Sequence, residues 1–122
     1  MQNLSDRTKS FALRIIKLFS ALPTTIEAQV IGKQFIRSGT SVGAHYREAV
    51  RARSKLEFVA KIDAGLQELE ETIYWLELLM ESEIISQIRL TDLFREANEL
   101  MAILVTISKN TKSTISSSKK VA

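Results

Sequence analysis

The sequence contains no cysteine, which excludes disulfides and thiolate metal sites and fits a reducing compartment. One proline and four glycines are too few for a turn-rich β architecture. The single histidine, His45, has no second imidazole to join it in a metal site. No apolar run approaches the roughly 20 residues of a membrane span. The N-terminal text, MQNLSDRTKSFALRIIKLFSALP, has some flavour of a secretory signal, but Arg14 and Lys17 break its apolar part at helical spacing. It reads as an amphipathic helix of the mature chain, and the expected location is cytoplasmic.

What the sequence does hold is segregated charge and helical periodicity. The net charge of +3 conceals nine basic and three acidic residues over 1–53, four and eleven over 54–108, and four lysines with no acid beyond. A basic face, an acidic face and a basic tail are expected. Steps of three and four residues connect Leu4, Thr8, Phe11, Ile15, Leu18 and Leu22, and Pro23 ends that helix. Thr24 with Glu27 reads as a capping box that opens a second helix, and Ser54 with Glu57 as one that opens a third. Val59, Ile62, Leu66, Leu69, Ile73, Leu76 and Met80 keep the same step without a miss. Ser86 precedes a fourth run, from Leu90 to Ile107. The prediction is an all-α, antiparallel up-and-down four-helix bundle with helices over 5–22, 25–53, 54–82 and 87–109. Residues 1–109 form its one domain, and the Ser/Thr/Lys-rich stretch 110–122 is expected to be a disordered, flexible tail.

One stretch tests this reading. RSGTSVGAHYREAVRAR, residues 37–53, looks like a glycine-rich phosphate loop. A phosphate-cradling loop needs G-x-x-x-x-G-K-[ST] between a strand and a helix, and here both the lysine and the strand are missing. The apolar phase, Ala28, Ile31, Phe35, Ser38, Val42, His45 and Ala49, crosses the glycines unbroken. Gly39 and Gly43, with Ala44 beside them, are therefore expected to let another helix approach closely, in the same bundle or in a neighbouring copy.

The run FIRSGTSVGAHYREAVRARSKLEFVAKIDAGLQELEETIYWLELL resembles the four-helix-bundle family named after proteins encoded in intervening sequences of 23S ribosomal RNA genes. The motif is an Arg-Ser pair, a small-residue Ser-Val/Ile-x-Ala-Asn-x-x-Glu segment, and a Glu-rich helix closing on Trp-Leu. Arg37, Ser38, Ser41, Val42, Ala44 and Glu48 carry its first part; Ser54, Phe58, Glu68, Glu71, Trp75 and Leu76 carry the rest. His45 departs from the asparagine usual in the family. The resemblance implies a ring-shaped homo-oligomer, typically a pentamer, with no known catalysis. A fold relative, the accessory variability protein of diversity-generating retroelements, is a basic pentamer that works with a reverse transcriptase and RNA. RNA or a ribonucleoprotein is accordingly the implied partner.

The residues themselves allow two readings. Lys33, Arg37, Arg47, Arg51 and Arg53 supply guanidinium and ammonium groups suited to phosphate, in two pairs one helical turn apart. The same cations equally suit pairing with the acidic third helix, within the chain or between copies. Glu68, Glu71, Tyr74 and Trp75 are candidates for an interface. No catalytic constellation assembles from one histidine and scattered serines. The expectation is a non-enzymatic protein with no cofactor, no metal, no membrane association and no small-molecule substrate. It either binds RNA through the second helix or serves as a scaffold whose charges are used in assembly.

Overall fold

A computed structural model describes the backbone of residues 3–121 and the side chains of residues 3–117. Four helices follow in order: α1 Leu4–Ser20, α2 Ile26–Val50, α3 Lys55–Glu81 and α4 Gln87–Val121. Each packs chiefly on its neighbour in sequence, and the α2–α3 pair is the most extensive. The α1–α4 side closes the bundle with the sparsest packing. An antiparallel up-and-down bundle results, and among the described residues no helix is long and apolar enough to cross a membrane.

The starts of α1, α2 and α3 are set by side-chain caps that satisfy otherwise unpaired N–H groups. Asn3 accepts from the Asp6 N–H at 2.8 Å. Thr25, rather than Thr24, caps α2 by accepting from the Ala28 N–H at 3.3 Å. Thr25 is the residue held extended directly before Ile26, so the frame lies one residue later than the Thr24–Glu27 box implies. Ser54 accepts from the Glu57 N–H at 3.1 Å, and the Glu57 carboxylate accepts in return from the Arg53 N–H at 3.1 Å.

Three ends differ from the sequence expectation. Helix α1 stops at Ser20, where Ala21 and Leu22 donate to carbonyls three residues back and tighten the last turn. Helix α2 stops at Val50, where Arg51 and Ala52 donate to carbonyls three residues back and tighten the turn, ahead of the extended Ser54 (φ −151°, ψ 162°) that caps α3. Arg53 thus sits in the connecting turn, and Arg51 is the C-cap of α2. Helix α4 does not end near 109 but runs through the stretch expected to be disordered. No glycine or proline interrupts it, and Thr111 and Thr114 turn their hydroxyls onto carbonyls four residues back. Asp63 of α3 anchors this extension, accepting from Ser108 Oγ at 2.7 Å and pairing with Lys112 Nζ at 3.0 Å. The α3–α4 turn places Glu83 at φ +61°, the left-handed conformation that favours glycine.

The core follows the predicted frame closely. Phe11 and Ile15 of α1, Phe35 and Val42 of α2, Ile62, Leu69 and Leu76 of α3, and Leu90, Leu100 and Leu104 of α4 are all but fully buried. Each such side chain contributes about 1.5–3 kcal/mol relative to exposure. Two hydroxyls enter this core together: Ser38 and Thr72, both fully buried, lie 2.9 Å apart in a hydrogen bond across the α2–α3 contact.

Candidate nucleic-acid interface

Helix α2 presents two differently occupied basic edges. On the edge toward α3, Arg37 donates to Glu68 at 3.0 Å and to Glu71, and Trp75 Nε1 donates to the same Glu71 oxygen at 3.1 Å. The Arg37 hydrogen bond, assisted by the Trp75 N–H, holds the Glu71 carboxyl below the usual glutamate range despite an opposing contribution from burial. Arg37 is thereby committed within its own chain. So are Glu68 and Glu71, two of the four residues expected at an interface. Trp75 is partly buried, with the Tyr74 ring tilted against it at 5.2 Å, and of the four only Tyr74 is exposed.

The edge toward α1 is different. Arg47 lines two adjoining grooves: one of about 360 Å³ shared with Lys9, Ala12, Thr40 and Ala44, and one of about 240 Å³ shared with Ser5, Val50 and Arg51. Lys9, Lys33, Arg47 and Arg51 are exposed. Among the described residues, none of these four belongs to an ion pair. Lys33 lies apart, about 21 Å from Arg47 along the helix axis at 1.5 Å per residue. Arg53 lies on the far side of Arg51, which borders both the groove of Arg47 and a mixed-charge depression that Arg53 lines with Glu48, Glu57 and Lys61. The five basic candidates therefore divide into one internally paired residue, a cluster of two, and two outliers. Lys9 of α1 joins the cluster although nothing in the sequence tied it to α2.

The glycines bring α1 and α2 together. A Cβ on Gly39 would overlap Ile15, and one on Gly43 would come within 3.1 Å of Thr8 Oγ1. Both neighbours belong to α1 of the same chain. Ala44 does not share in that contact; it is exposed and borders the groove beside Arg47. His45 faces α3, with its Nδ1 buried, without a hydrogen-bond partner and 3.7 Å from a Glu48 oxygen. Glu48 itself is engaged by Lys61 Nζ at 2.7 Å, and that bond lowers its pKa. Among the described residues, no group of three or more His, Asp or Glu side chains is arranged to hold a metal ion.

No sequence pattern announces the fork that closes the α1–α4 side. Arg7 Nε and Nη2 donate to the two oxygens of Glu96, each at 2.8 Å, and Nη2 also reaches Glu99 at 2.8 Å. Bidentate pairing of this kind fixes orientation as well as charge. The partners are 89 residues apart, beyond the reach of any periodicity argument.

Comparison with known proteins agrees with this architecture. The sequence model described as 23S rRNA-intervening sequence protein matches residues 3–106. Among solved structures, the chain is similar to a protein with unknown function from the S23 ribosomal protein family of Bacteroides thetaiotaomicron. The two are 37% identical with a TM-score of 0.82, over 88% of this chain and 99% of that one. No curated protein matches the sequence.

Proposed function

This chain belongs to the 23S rRNA-intervening sequence protein family, and from that premise we propose that it is a non-enzymatic, cytoplasmic RNA- or ribonucleoprotein-binding protein that works as a ring of copies. The observation that carries the reading is the cluster of Arg47, Arg51 and Lys9, which line adjoining grooves and have no carboxylate partner among the described residues. Unpaired guanidinium groups at a groove bind phosphate oxygens well, and each contact formed on a strand releases counterions. The number of copies, five in the family's typical ring, comes from the resemblance alone.

A scaffold reading has its own support. Arg37 is consumed by Glu68 and Glu71, so at least part of the charge segregation serves cohesion. In that reading the Arg47 edge meets the exposed acids of α3 in a second copy, such as Glu70 and Glu81.

A salt-titrated RNA-binding measurement on the wild type and on Arg47→Ala/Arg51→Ala separates the two. RNA binding by the wild type at low salt, weakened in the variant with its sedimentation unchanged, is the expected result. No binding by the wild type would overturn the RNA reading, and a variant that changes its oligomeric state would assign these arginines to assembly.

A further inference from the structure

A further groove lies on the other flank of α1, away from Lys9 and Arg47. Arg14 and Lys17 of α1 and Arg89 of α4 surround a floor of Leu18, Ala21 and Leu93, and the space measures about 340 Å³. All three cations are exposed, and among the described residues none has a carboxylate within ion-pair distance. The acids nearest along α4 are otherwise engaged. Glu96 gives both oxygens to Arg7 and feels Arg14 only as its weakest charge partner, and the exposed Asp92 lies 3.8 Å from Arg95. The first turn of α4 contains no acid, so the positive end of that helix adds to the field. Three like charges around one opening repel each other, and an anion among them relieves that repulsion.

We propose that this groove is a second phosphate site and seats one nucleotide of the bound RNA. Arg14, Lys17 and Arg89 hold the phosphate, while Leu18, Ala21 and Leu93 give the sugar and base an apolar floor. The size supports a ligand of this class, since small-molecule sites begin at roughly 300 Å³. An inorganic anion would use the cations but not the floor. The proposal rests on the RNA reading and extends it around α1, because Lys9 borders the groove on one flank and Arg14 and Lys17 the groove on the other.

The test uses the full chain and a labelled single-stranded RNA of about twelve nucleotides, within the usual reach of a single-strand site. A base-free strand of the same length is the control. Arg14→Ala/Lys17→Ala/Arg89→Ala is expected to weaken binding tenfold or more. It should also flatten the salt dependence by roughly 0.7 in log–log slope for each phosphate released. Ala21→Leu fills the groove without changing charge, and should weaken the normal strand several-fold and the base-free strand less.

If both variants bind as the wild type does while Arg47→Ala/Arg51→Ala is impaired, the second site is overturned and the RNA reading stands. If the wild type binds no RNA at low salt, both fall. If Ala21→Leu is silent while the triple variant is impaired, the groove attracts charge alone and holds no nucleotide. A triple variant that sediments as a different oligomer would assign the groove to a contact between copies, again overturning the proposal.

Discussion

Gly39 and Gly65 are both buried in helices, and the space beside each decides what an added methyl group does. At Gly39 the new carbon would collide with the terminal methyl of Ile15, and the branch methyl of this fully buried side chain also lies close, at 3.2 Å, so the whole side chain must shift. Overpacking of this kind costs about 1–3 kcal/mol, against roughly 1 kcal/mol gained in helix propensity. At Gly65 the nearest atoms, His45 Cβ and the Val42 carbonyl, stand off at 3.5 and 3.7 Å, which is ordinary contact. Gly65→Ala is therefore expected to stabilise the protein by about 0.5–1 kcal/mol, and Gly39→Ala to destabilise it by about 1 kcal/mol. Urea unfolding midpoints compared at equal slope would show the two moving in opposite directions. A stabilised Gly39→Ala would mean that the α1–α2 contact is looser than its geometry implies.

Helix α4 depends on one carboxylate of α3 for its long C-terminal extension. Burial pushes the Asp63 pKa up, but the hydrogen bonds from Ser108 and Lys112 outweigh it and leave the group below its usual range. Asp63→Ala leaves the Ser108 hydroxyl, only 4% exposed, without its partner. Amide exchange over residues 109–117 should accelerate about fivefold, the equivalent of roughly 1 kcal/mol; unchanged exchange would show that the helix holds itself. This extension was the least legible part of the fold. Serine, threonine and lysine composition resembles a solvated tail, and composition does not reveal that Asp63 waits 45 residues upstream. The four helices, their order and the Ser54 cap were all readable, because periodicity and capping are local. Leu66, Ile73 and Met80, placed by that same periodicity on the inner frame, are only partly buried; Gly65, Thr72 and Leu79 are buried beside them.

Across the whole molecule, paired carboxylates make stability depend on pH in one direction. Glu48, Glu71 and Glu96 are all held below the ordinary glutamate value of 4.5, each first of all by the hydrogen bond of its basic partner. As pH falls, the unfolded chain takes up protons before these groups do in the folded state. Their contribution is complete above 4.5 and is lost as pH drops through the lower folded-state values. Unfolding midpoints should hold steady down to that value and then decline, more gently in Arg7→Gln, which removes the partner of Glu96; an equal slope in that variant would exclude Glu96 as a contributor. Of the candidate site, the sequence revealed the cations and the acidic alternative for them. It did not reveal which edge of α2 is already satisfied, nor that Arg14 and Lys17 meet Arg89 in space, since that depends on where the fourth helix lies. One buried pair also aligns the molecule as a whole. Sliding the α3–α4 half by one heptad along the α1–α2 half would carry Thr72 about 10.5 Å from Ser38. Each hydroxyl would then keep only the carbonyl it already reaches in its own helix, Ser38 that of Phe35 at 3.3 Å and Thr72 that of Glu68 at 2.7 Å. Leucines at neighbouring turns are interchangeable under such a slip, but this pair is not, so the buried hydrogen bond joins the Arg37 and Arg7 ion pairs in selecting one vernier setting from several that greasy packing alone would tolerate.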